Sequence, residues 1–308
     1  MREIAKLPIF TARRRRITVF LAFVLSLPSV LIVSGCSIRR TVKATIPLNM
    51  RNAKTASYDE LLALIASYDR IQELSSNDLR LRLVVGKQGS ETQDQFRPAP
   101  GYILLRRPDS VHLVLKSPLG TELDMLSVGD DLSAWVPSKN RFYIGKNSAK
   151  ELVSDDLPKG FTLRGTHIFE AVFPQSVSLD SPGIRISMEE AEDAGSKYYT
   201  ISFYRDLGSR RIHTIRRIWI ERSQLAIVRL QRFLDDGRVE SDIEYSNMEQ
   251  IDGSYLPLKI HANRPQDGYD VSLEFKSGNW RINNNLPDEA FVLKPPEGAE
   301  IIHLKEKI

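Results

Sequence analysis

The chain of 308 residues has a single cysteine, Cys36, directly after the small residues Ser34 and Gly35. One thiol cannot form a disulfide within the molecule or complete a multi-cysteine zinc site. It remains available as a nucleophile. The five histidines, at positions 112, 167, 213, 261 and 303, show neither the close His-His pairing nor the flanking glutamate of a metal motif. Glu189-Glu190 and Asp235-Asp236 are adjacent acidic pairs, and neighbours on a strand point to opposite faces, so neither pair converges on one substrate. Gly-x-Ser-x-Gly, Walker and Gly-x-Gly-x-x-Gly patterns are missing. The residues therefore predict no catalytic side chain, no metal and no cofactor; the protein is expected not to be an enzyme.

The segment before Cys36 carries Arg13 to Arg16 and then an apolar run of 17 residues, Ile17 to Val33. Charge followed by an apolar stretch is the pattern of a signal peptide, and the run sits at the short limit for a membrane anchor, the alternative reading. Its end, Leu31-Ile32-Val33-Ser34-Gly35-Cys36, resembles the lipobox of bacterial lipoproteins. The resemblance implies cleavage before Cys36, transfer of diacylglycerol to its thiol and a stable lipid anchor, since two acyl chains hold where one is marginal. Ser37, where enterobacterial lipoproteins retained in the inner membrane have aspartate, implies the outer membrane, facing the periplasm. Six of the 43 Lys and Arg residues and one of the 39 acidic residues precede Cys36, leaving 37 basic and 38 acidic. The net charge of +4 thus belongs to the export segment, and no basic footprint for nucleic acid remains.

Three segments follow: a signal peptide over 1–35, an acylated cysteine and flexible tether over 36–56, and one folded domain over 57–308. Ser57 with Glu60 three residues on is a capping-box pattern. Leu61, Leu64, Ile65, Tyr68 and Ile71 follow at helical spacing, which predicts a helix from Tyr58 to about Leu74 with Leu61, Ile65 and Tyr68 on its buried face. Beyond Asn77 the apolar period becomes two, and about ten or eleven strands separated by turn residues are expected, including an Asp235-Asp236-Gly237 hairpin. A helix is expected to begin at Ser148, another over Thr166 to Phe173. Antiparallel strands in this number curl, so the expected fold is mainly β with α: a curved antiparallel sheet, or incomplete barrel, with a helical lid.

Residues His112-Leu113-Val114-Leu115-Lys116-Ser117-Pro118-Leu119-Gly120-Thr121-Glu122-Leu123 resemble the LolA/LolB lipoprotein-sorting family, closest to its LolB branch. There an Asn-Pro-Leu-Gly turn joins two strands and exposes a leucine that helps deliver cargo to the membrane; Ser117 stands here for the asparagine. The likeness runs from about Tyr58 to Pro174. Ile251-Asp252-Gly253-Ser254-Tyr255-Leu256-Pro257 and Phe291-Val292-Leu293-Lys294-Pro295-Pro296-Glu297-Gly298 resemble the wider group, though the chain is longer than a typical LolB. The resemblance implies an outer-membrane protein that binds acyl chains of lipoproteins, takes them from a LolA-type carrier and inserts them into a bilayer, with Pro118, Leu119 and Gly120 as the membrane-insertion loop. The residues alone leave Leu119 either exposed or folded under the sheet. The other class of function is a noncatalytic structural or lipid-sensing module that binds a protein partner.

Overall fold

The computed structural model describes residues 52–86, 93–149, 152–153, 163–173, 182–193 and 195–306. Cys36, the export segment and most of the tether lie outside the described residues. Helix α1 spans Tyr58–Ser67, and its start is the expected capping box: the Ser57 amide donates to Glu60 Oε2 at 2.7 Å and the Glu60 amide to Ser57 Oγ at 3.3 Å. Those hydrogen bonds favour the ionised form and hold the Glu60 carboxyl below its usual range. The helix is shorter than its apolar spacing predicts. A single 3-10 turn, Tyr68–Arg70, ends it, because Leu74 already pairs as strand with Leu105 on one side and Ile282 on the other.

The strands, in chain order, are β1 (Glu73–Val85), β2 (Asp94–Gln95), β3 (Ala99–Arg106), β4 (Ser110–Ser117), β5 (Gly120–Val128), β6 (Asp131–Val136), β7 (Arg141–Lys146), β8 (Leu152–Val153), β9 (Ile184–Asp193), β10 (Ser196–Asp206), β11 (Ile212–Glu221), β12 (Ala226–Phe233), β13 (Val239–Ile251), β14 (Ser254–Arg264), β15 (Tyr269–Phe275), β16 (Trp280–Ile282), β17 (Glu300–His303) and β18 (Lys305–Glu306). Helix α2, Gly165–Val172, follows β8. Sixteen strands form one open curved sheet in the order β17-β7-β6-β5-β4-β3-β1-β15-β14-β13-β12-β11-β10-β9, with β2 and β16 also on β1, while β8 pairs β18 separately. The expected ten or eleven strands are therefore too few. The additional strands are mostly two to four residues long, too short for a visible period. Another, β9, is acidic because it is an edge, where carboxylates in solvent block further pairing.

No helix begins at Ser148. Its amide and hydroxyl instead bond the Asp130 carboxylate at 2.8 and 3.0 Å, and Leu152–Val153 is strand. The Asp235-Asp236-Gly237 turn does close β12 onto β13, with Gly237 at φ 84°.

Alternation places one apolar row on the concave side. Ile103, Leu113, Met125, Ala134 and Tyr143 lie side by side across β3 to β7, and Ile201, Ile218, Leu230, Ile243, Ala262 and Val271 across β10 to β15. All are buried. Leu61, Ile65 and Tyr68 of α1 pack into this core, and the Tyr68 hydroxyl donates to Tyr255 O at 2.9 Å. Burial pushes that hydroxyl's pKa up to about 12. The outer face of the β1–β7 half is strapped by the chain after β16. Asn283 Oδ1 accepts from the amides of Gln72 and Glu73, Arg106 bridges Glu73 and Asp288 while lying over the Phe291 ring, and Asn140 reaches Gly298 O before β17 adds in parallel to β7. Among the described residues no helix is long and apolar enough to cross a membrane.

Candidate functional site

The site begins with the β4–β5 connection. Ser117 pairs Gly120, so Pro118 and Leu119 form the tip of a two-residue turn. Ser117 Oγ accepts from the Leu119 amide at 3.2 Å, the local bond an asparagine side chain also makes, and Gly120 takes a φ of 124° that a side chain would resist. Pro118, Leu119 and Gly120 are all exposed, Leu119 completely (100%). A free leucine side chain at the tip of a turn has no partner in the fold.

Behind this turn the concave side is unfilled. A cavity of about 780 Å³ is lined by Leu81 and Leu83 of β1, Ala99 of β3, Leu115 of β4, Leu123 and Met125 of β5, Val136 of β6 and Leu163. Leu119 and Phe96 stand at its rim with Arg97, Ser117, Thr121, Glu122, Ser138 and Lys139. The volume lies within the roughly 300–1,000 Å³ of pockets that take small ligands. Its wall is aliphatic and its polar groups are confined to the mouth, so it can hold an apolar chain while leaving a polar head in water.

Leu163, two residues before helix α2, lines this space, and the helix itself packs beside it on β4, β5 and β14. Its Ile168, Phe169, Ala171 and Val172 are buried, and its first residue, Gly165, sits so close to β5 that a Cβ there would lie 2.0 Å from the Ser127 Cβ. The polar side of α2 faces a charge network that no sequence motif marks. Glu170 pairs Arg232 of β12 and, at 3.3 Å, Arg264 of β14. Glu240 lies 3.3 Å from Arg232 and 3.5 Å from Arg264, and Asp267 lies 2.7 Å from Arg264. Burial beside Arg232 lowers the Arg216 pKa to about 10. His167 bonds the Tyr269 hydroxyl, and burial together with Arg264, Arg164 and Arg232 pushes its pKa down to about 2. A signal for this cluster existed, since Arg232 shares the inward parity of Leu230.

Among the expected site residues, the structure brings Leu119 to the cavity, with Pro118 and Gly120 beside it in the exposed turn, and Leu61, Ile65 and Tyr68 into the core beneath the sheet; Cys36 lies outside the described residues. The histidines remain scattered. Both His112 ring nitrogens are engaged, by Asp124 at 2.8 Å and Ala290 O at 2.6 Å. No group of three or more His, Cys, Asp or Glu residues able to hold a metal occurs among the described residues.

No protein-family model matches the chain, and no curated protein matches it. Solved structures do resemble it. A DUF1329 family protein from Desulfovibrio piger is 15% identical, with 77% of this chain and 98% of that one covered and a TM-score of 0.47. A LolA superfamily protein from Nitrosomonas europaea is 13% identical, with 78% and 99% covered and a TM-score of 0.44. An outer membrane lipoprotein-sorting protein domain from Vibrio parahaemolyticus is 12% identical, with 76% and 97% covered and a TM-score of 0.45.

Proposed function

We propose that the protein is a noncatalytic, outer-membrane-anchored lipoprotein that binds acyl chains of other lipoproteins in its apolar cavity and helps insert them into the outer membrane. The carrying observation is the pairing of an aliphatic cavity of about 780 Å³ with a fully exposed leucine on its rim. Exchange needs no nucleotide if each successive environment removes more apolar surface from water, because the driving force scales with the area removed. Acyl chains on Cys36 would keep the mouth near the acceptor bilayer, and a LolA-type carrier would be the donor. Leu119 entering the bilayer would contribute about 1.5–3 kcal/mol.

The test is transfer of a labelled lipoprotein from a LolA-type donor to this protein and onward to liposomes. Leu119→Glu is expected to leave acceptance nearly unchanged and to reduce onward delivery about tenfold or more, from the lost burial. Normal delivery by the variant would remove Leu119 from the mechanism. A wild-type protein that accepts no cargo would favour the second reading, a lipid-sensing or structural module, which draws on the filling of the other half of the concavity by helix side chains and charges.

A further inference from the structure

The β10–β11 hairpin ends in six consecutive exposed residues, Leu207-Gly208-Ser209-Arg210-Arg211-Ile212. Leu207 is 51% and Ile212 60% exposed. The tip has a fixed shape. The Leu207 amide donates to Arg211 O and the Arg211 amide to Gly208 O, both at 3.0 Å, with Ser209 and Arg210 in the left-handed region at φ 51° and 63°. The acids beside it are already paired: Asp206 with Arg185 at 2.8 Å, and Asp235 with Arg205 at 3.7 Å. Arg210 and Arg211 have no ion-pair partner among the described residues.

Strand register places this tip at the same end of the sheet as Leu119. The end of β4 neighbours the start of β3, which neighbours the end of β1. The end of β1 neighbours the start of β15, and alternation through β14, β13, β12 and β11 brings the end of β10 to that same end.

We propose that this hairpin is a second membrane contact, with Leu207 and Ile212 entering the interface of an anionic bilayer and Arg210 and Arg211 binding head-group phosphates. Aliphatic side chains flanking arginines suit that boundary, because the apolar groups enter the acyl region while the long cationic side chains reach back to the head groups. A six-residue tip is too small to form the roughly 800 Å² that each partner contributes to a stable protein interface. The inference rests on the lipid-anchor reading for the presence of a bilayer, and its test does not require cargo in the cavity.

The full acylated chain on vesicles provides the test. Acylation consumes the Cys36 thiol, so Ile212→Cys creates a single site for an environment-sensitive dye, and a parallel Leu119→Cys chain reports the cavity mouth. The Ile212 probe is expected to shift to shorter wavelength and to be quenched by lipid-borne spin labels on vesicles of phosphatidylethanolamine with phosphatidylglycerol. Arg210→Gln with Arg211→Gln should lower its docked-to-undocked ratio about 25-fold, at about fivefold per arginine near an anionic surface. A probe that stays aqueous on these vesicles overturns the proposal, as does docking indifferent to the arginines. A probe that stays aqueous on vesicles and shifts with polyglutamate assigns the hairpin to an acidic protein and overturns it as well. A second dye on each chain would instead show a free Cys36 thiol and refute the anchor reading.

Discussion

Removing Glu170 tests whether the charge network holds α2 in the concavity. The carboxylate joins Arg232 and Arg264, and Arg264 is only 6% exposed at its side chain. In Glu170→Ala neither arginine is stranded, since Glu240 still lies near both and Asp267 stays 2.7 Å from Arg264. The cost should therefore fall short of the about 3–5 kcal/mol of an uncompensated buried charge. Two hydrogen bonds to charged groups, at about 1.5–3 kcal/mol each, set the gross loss. Water reaching the partly exposed arginine and the relief of burying Glu170 offset roughly half of it, leaving a net loss of about 2 kcal/mol. For a domain of this size that lowers Tm by about 4–8 °C. Thermal unfolding of the chain in detergent micelles, followed by circular dichroism, measures it, and a cycle with Arg232→Met isolates the pair. A coupling energy below about 0.5 kcal/mol would refute the reasoning, because that is the size of a solvated surface pair.

His167, whose folded pKa of about 2 lies below its unfolded value near 6.5, makes the protein acid-sensitive. The unfolded chain takes up a proton that the folded chain refuses, so stability is full above about pH 6.5 and falls with pH, by about 2 kcal/mol from pH 7 to pH 5. Urea titrations should show that slope reduced in His167→Gln; an unchanged slope assigns it to other groups. Gly165→Ala drives a methyl group into Ser127 and should cost about 1–3 kcal/mol, with Ser127→Gly in the same chain restoring most of the loss in urea unfolding. Leu115→Trp with Leu123→Trp fills the cavity from its wall. Lipid copurifying with the protein, measured by mass spectrometry, should disappear while stability changes by less than about 1 kcal/mol.

Much of the architecture was legible as local chemistry. Ser57 and Glu60 mark the start of α1 because a capping box is satisfied within four residues, and alternation through Leu79, Leu81 and Leu83 marks β1 because half of its side chains must be covered. The Pro118-Leu119-Gly120 turn was legible for the same reason: its bonds run between Ser117 and its immediate neighbours. The lipobox resemblance around Cys36 is a reading of sequence alone, since Cys36 lies outside the described residues.

Other features needed the three-dimensional structure. Whether Leu119 points outward depends on what lies behind the turn, and there the sheet curves around empty space. The end of α1 is not legible in sequence because Leu74 fits a helical stripe equally well; pairing to residues 105 and 282 decides it as strand. The closure of β15 on β1, the parallel β17 on β7 and the strap between residues 283 and 299 join segments far apart in the chain, where no local period exists to announce them. For Glu170, Arg232, Arg264 and Glu240 the one local sign is the inward parity that Arg232 shares with Leu230. As single residues they read as ordinary solvated charges, and only the curvature that turns β12 and β14 toward α2 makes them partners.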